Sequence, residues 1–242
     1  MDKNYTNPPI VEAVIEIRFS ESITTKMIEK AKNKFLKEYP FCEELKNVGV
    51  HIDPSRQSSI YQEKSIGYKM TKELSDVLLV AENVFAISRL VPYQGWDALI
   101  KRTKKDWKNW KNIIKFQKIQ RIGVRYINRI DIPIKNNEKI KVRDYINFYP
   151  YLPDNEVDSI AQYIVQITQP IEDNLILVMN SAEVPSPLLN HKSFILDIDI
   201  SKSSEVPQKD EEIWSLLDKI RIKKDQIFEK FTSVKAKKLF DY

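Results

Sequence analysis

Hydrophobic and polar residues alternate most persistently in Arg121-Ile-Gly-Val-Arg-Tyr-Ile-Asn-Arg-Ile-Asp-Ile132. The even positions Ile122, Val124, Tyr126, Asn128, Ile130 and Ile132 form one face, and Arg121, Arg125, Arg129 and Asp131 lie on the other. Period-2 alternation of this length predicts a strand with an apolar and a charged face, and its mid-chain place makes it the expected central strand of a sheet. A second such strand is predicted over Ile10–Phe19, with Val11, Ala13, Ile15, Ile17 and Phe19 opposite Glu12, Val14, Glu16 and Arg18. A third covers His191–Ser201, where Phe194, Leu196, Ile198 and Ile200 oppose Ile195, Asp197 and Asp199.

Helical spacing takes over between these strands. Ser22 or Thr24 can cap a helix to about Glu38, stopped by Tyr39-Pro40. A long helix is predicted over Trp96–Ile114, with Trp96, Leu99, Ile100, Thr103, Trp107, Trp110 and Ile114 as a stripe whose aromatic rings read as core. Asp210 to about Lys238 reads as one terminal helix. Strands are expected over 60–72 and 77–90, joined by a hairpin turn at Lys72–Asp76. Two more, 160–168 and 174–180, are expected to pair; Val142–Phe148 reads as a short helix or turn and Pro150–Asp158 as a surface loop. The sum is an α+β fold in one domain spanning residues 1–242. It is a mainly antiparallel, twisted sheet with one face packed on two or three helices, the long C-terminal helix among them.

Composition changes this picture little. A chain of 242 residues with 42% hydrophobic content can bury a substantial core. Net charge is +5, which permits an anionic partner without requiring one. The single cysteine, Cys42, excludes an intrachain disulfide and fits a reducing compartment. The first residues lack an apolar signal-peptide core and no apolar run is long enough to span a bilayer, so the expectation is a cytoplasmic protein without membrane association. Only four glycines occur, so a glycine-rich phosphate loop is not expected, and His51 and His191 have no neighbours at zinc-ligand spacing.

Pro8-Pro-Ile-Val-Glu-Ala-Val-Ile-Glu-Ile-Arg-Phe19, the Arg121–Pro133 strand and the terminal helix with Trp214 carry a resemblance across nearly the whole chain. Together they resemble a sporadically distributed, uncharacterised family of prokaryotic proteins about this long. The resemblance supplies no catalytic residues; a patchy distribution is associated with mobile-element or genome-defence loci. Ile15-Glu-Ile-Arg-Phe19 is also similar to the opening strand of the triphosphate-tunnel hydrolases, although Val14 stands where that family places the first of two alternating glutamates.

Three functions compete on these residues. The leading expectation is a non-catalytic binding or assembly protein without a cofactor, partnered by another protein or a second copy of itself. It would work through the charged sheet face, where Arg18, Arg121, Arg125 and Arg129 could hold phosphate, or through a lysine ridge. The bland form of that face is a surface laced with cross-strand ion pairs. The first alternative is nucleic-acid binding by the ridge, Lys101, Lys104, Lys105, Lys108 and Lys111 with Arg102 beside it, diluted by Asp97 and Asp106. The second is a triphosphate-tunnel-like phosphohydrolase, in which Glu12, Glu16, Asp197 and Asp199 would hold Mg²⁺ inside a curved sheet.

Overall fold

A computed structural model describes residues 5–53, 58–115, 117–135, 139–151 and 162–241. The alternating segment is strand β6 (Ile119–Pro133), and Ile10–Phe19 is β1, with the predicted bounds. Chain order is β1, α1 (Thr25–Phe35), β2 (Phe41–Asp53), β3 (Ser58–Lys72), β4 (Asp76–Ala81), β5 (Val84–Leu90), α2 (Trp96–Ile114) and β6. There follow β7 (Ile164–Ile171), β8 (Leu175–Val184), β9 (His191–Lys202), α3 (Asp210–Phe231) and α4 (Val234–Lys237). The strands hydrogen-bond in the order β2-β3-β4-β5-β1-β6-β9-β8-β7, a nine-stranded antiparallel sheet, and with the helices this is the expected α+β class. β1, β6 and β9, the three strands with alternating faces, are consecutive in that order. No helix among the described residues is long and apolar enough to cross a membrane.

The chain divides into two compact units, and β1 and β6 each contribute residues to both. One unit, residues 15–90 and 94–121, holds α1, α2 and β2–β5. Thr24 caps α1 by accepting from the Met27 backbone N–H at 3.3 Å, and α1 packs on β3, β4 and α2. The tryptophan stripe of α2 is core, as its spacing predicted: Trp107 and Trp110 are buried, and both rings contact Phe19 and Phe85. The other unit, residues 1–14, 91–93 and 122–242, holds β7–β9 and α3, which packs on β9. Its apolar side is Ile122, Val124, Tyr126 and Ile130 of β6 with Phe194, Leu196, Ile198 and Ile200 of β9, all buried.

Three elements depart from expectation. The strand expected over 77–90 is two, because Glu82-Asn83 forms a two-residue turn that pairs Ala81 with Val84. The terminal helix is also two: Thr232 leaves helical geometry at φ −104°, ψ 136°, and Ser233 caps α4 through the Ala236 N–H. β2 was not expected at all. It is a terminal strand of the sheet, paired only with β3, and such a strand needs no second apolar face. Most of the loop expected over Pro150–Asp158, and the expected strand start at Ile160, lie outside the described residues.

Candidate functional site

The charged face of the sheet is occupied by its own ion pairs. Arg125 on β6 donates through Nε and Nη2 to the two carboxylate oxygens of Asp197 on β9, each at 2.8 Å. Asn180 on β8 donates to the same carboxylate at 2.9 Å. Antiparallel register produces this convergence, since Ile127 pairs with Asp197 and Asp197 with Asn180 across three strands. The bond to Asp197, with Asp199 and Glu12 nearby, holds the Arg125 guanidinium above its ordinary pKa, against the opposing effect of burial. Arg129 is bound by Asp131 at 3.0 Å, and Ser193 donates to that carboxylate.

On the other compact unit Glu16 accepts from both Arg18 and Arg121. All four sheet arginines considered for phosphate therefore already hold a carboxylate. Glu16 and Asp197, considered as metal ligands, are the acceptors of those arginines; among the described residues no three of His, Cys, Asp or Glu gather as a ligand group with Glu12 or Asp199.

The lysine ridge is different. Lys101, Lys104, Lys105 and Lys108 are exposed along α2, while Lys111 is half-buried against Trp107. Asp106 does not dilute this ridge. It lies three residues after Thr103 and four before Trp110, which puts it on the buried stripe, where it is fully covered. Its Oδ2 accepts from the Tyr39 hydroxyl, and its Oδ1 has no hydrogen-bond partner among the described residues. Burial pushes the Asp106 carboxyl up to about 6, more than the Tyr39 bond pulls it down, and the same burial raises the Tyr39 hydroxyl far above its ordinary range.

Arg102 also leaves the ridge. Its Nη2 donates to the Ser88 carbonyl at 2.7 Å, and its Nη1 lies 3.2 Å from Asp76 Oδ1, the oxygen that accepts from Arg89 at 2.9 Å. The two arginine side chains keep only 13% and 9% of their exposure, so two guanidiniums share one carboxylate in a largely desolvated place. Asp76 and Arg89 carried no signal in the sequence. One follows a hairpin turn and the other is the next-to-last residue of β5, and their register pairing brings them opposite each other.

These groups line a cavity of about 560 Å³ at the start of α2. It gathers Lys72, Arg89, Lys101, Arg102 and Lys105 against Glu38 and Asp76, five cations facing two carboxylates. Gly95, the residue before α2, has φ 94°, a conformation that favours glycine, and supplies no side-chain cap to the helix. A Cβ there would meet no atom of the described residues within 4 Å. The positive end of the helix dipole adds to the field of the lysines and arginines. Chemically, the arrangement suits an anion that accepts several hydrogen bonds. No family model matches the chain, and no curated protein matches it.

Proposed function

We propose that this is a non-catalytic binding protein that carries a nucleic-acid strand on α2, not on the charged face of the sheet. The observation that carries this reading is the run of exposed lysines, all of one sign, along one side of α2. Each sheet arginine is held by a carboxylate on its own or a neighbouring strand. On α2, four lysines stand exposed along one side; of the two acids expected to dilute them, Asp106 is buried underneath and Asp97 stays exposed in the first turn. Lys105 is paired with Glu38, but that pair is surface-exposed on the lysine side and weak enough to exchange for a phosphate.

A polyanion gains most where fixed, exposed cations displace its own condensed counterions, and gains little from arginines whose carboxylates it would have to displace. The test is fluorescence anisotropy of a labelled single-stranded oligonucleotide titrated with the protein at rising salt. Engagement of about four lysines gives a slope of log affinity against log salt of roughly −3. The double variant Lys104→Glu/Lys108→Glu should lower both affinity and slope. Binding that is absent, or that ignores salt, removes the proposal.

A further inference from the structure

We infer that the cavity at the start of α2 is a site for a phosphate monoester, and that on the surface proposed above it receives the phosphorylated end of a nucleic-acid strand. The extension to a strand rests on the proposed function; the claim for the cavity itself does not. Lys101 and Lys105 belong to both places: they stand exposed on α2 and they line the cavity. A backbone lying along the ridge therefore ends at the cavity mouth.

Three features select a terminal phosphate over a phosphodiester or a carboxylate. The first is charge. Five cations line the cavity against two carboxylates, and with Glu73 at 3.9 Å from Lys72 a surplus of two remains, which a monoester dianion offsets better than a singly charged group. The second is donor geometry. Arg89 and Arg102 both reach Asp76 Oδ1, so one carboxylate answers two guanidiniums. Two guanidiniums sharing one carboxylate keep a net positive charge, which a phosphate entering beside them would offset. The third is size. About 560 Å³ accommodates a terminal nucleotide and exceeds what an isolated inorganic ion needs. The lining chemistry is common to a strand end and to a free nucleoside monophosphate, so both belong in the test.

Ala98 provides a variant that leaves the ion-pair network intact. It is exposed, lines the cavity and sits in the first turn of α2, where an added acid suits the helix dipole and the fold is retained. The experiment compares one oligonucleotide carrying a 5′-phosphate, a 3′-phosphate or hydroxyls at both ends, with nucleoside monophosphate binding followed separately by calorimetry. A phosphorylated end should bind about tenfold tighter than the hydroxyl form, the scale of one charge-assisted hydrogen bond, and the preferred terminus identifies which end enters.

Ala98→Glu should abolish that ratio and the monophosphate heat, and Ala98→Gln should keep both. Lys104→Glu/Lys108→Glu should weaken all the strands while leaving the ratio in place. Equal binding of the three strands with no monophosphate heat overturns the cavity assignment and leaves the ridge standing. Monophosphate heat abolished by Ala98→Glu, with no strand bound, sustains the cavity and overturns its extension to a nucleic-acid end.

Discussion

At the scale of single residues, the buried carboxylates of Asp106 and Asp197 sit in opposite circumstances. Asp106 is fully covered, with a hydroxyl donor on one oxygen and no hydrogen-bond partner among the described residues on the other, and burial raises its carboxyl to about 6. Glu38 adds to that rise, while Lys105 and Arg102 oppose it. A folded-state value above the unfolded one means that the folded protein prefers the protonated acid. The stabilisation is complete below about pH 4 and is lost as pH rises through 6. A shift of this size is worth on the order of 2 to 3 kcal/mol. Asp106→Asn should remove most of that pH dependence and make the protein the more stable of the two at pH 8. Urea unfolding at pH 5 and pH 8 measures it; equal pH slopes in both proteins would contradict the assignment.

Asp197 is 5% exposed but has the bidentate Arg125 and the Asn180 amide as donors. Arg125→Met strips it of its counter-charge and should cost about 2 kcal/mol of unfolding free energy. The same variant should bind an oligonucleotide as the parent does. A loss of affinity there would return the sheet face to consideration as the binding surface.

At the scale of elements, the close approach of β3 and β4 depends on Gly67. A Cβ at that position would lie 2.3 Å from the Val80 carbonyl oxygen and 2.6 Å from the Ala81 Cα, both backbone atoms that cannot rotate away. Gly67→Ala should therefore destabilise the protein by about 2 to 3 kcal/mol, read as an earlier urea midpoint; an unchanged midpoint would show that the strands separate freely. Helix ends show the same dependence on partners. The break between α3 and α4 coincides with a bridge between Ile146 and Thr232, and the Ser233 N–H donates to the Tyr145 carbonyl at 2.9 Å. Residues near 145 thus satisfy backbone groups that an uninterrupted helix would have satisfied internally. The 77–90 run reads as one strand because each half is apolar on its own; only the turn at Glu82-Asn83, and the pairing it permits, separates them.

At the scale of the molecule, a net charge of +5 says little until the location of the surplus is known. On the sheet, charges of both signs meet across neighbouring strands, and the field they project is small. Along α2 and around its first turn, cations outnumber acids within a short distance, so the field there is concentrated. Salt should accordingly affect oligonucleotide binding steeply and protein stability little. Thermal melts at low and high salt, set beside the binding titrations, separate the two effects.

Periodicity is local, and whatever depends on it could be read directly from the chain. β1 and α2 have the bounds that alternation and helical spacing predicted, and the two-faced character of β6 and the core role of Trp107 and Trp110 follow from the same patterns. The lysines of α2 were visible for that reason as well. The fate of each charge was decided only by the tertiary structure. Asp106 was expected to dilute the ridge, but packing buries it, and its Tyr39 partner comes from beyond α1, 67 residues away. Asp76, Arg89 and Arg102 converge because a hairpin register and a helix packed beside it bring together side chains from three elements. An ion pair forms where two side chains can reach each other in space. One chain segment records the type and direction of its own side chains, while the partner each one meets is set by pairing and packing between segments.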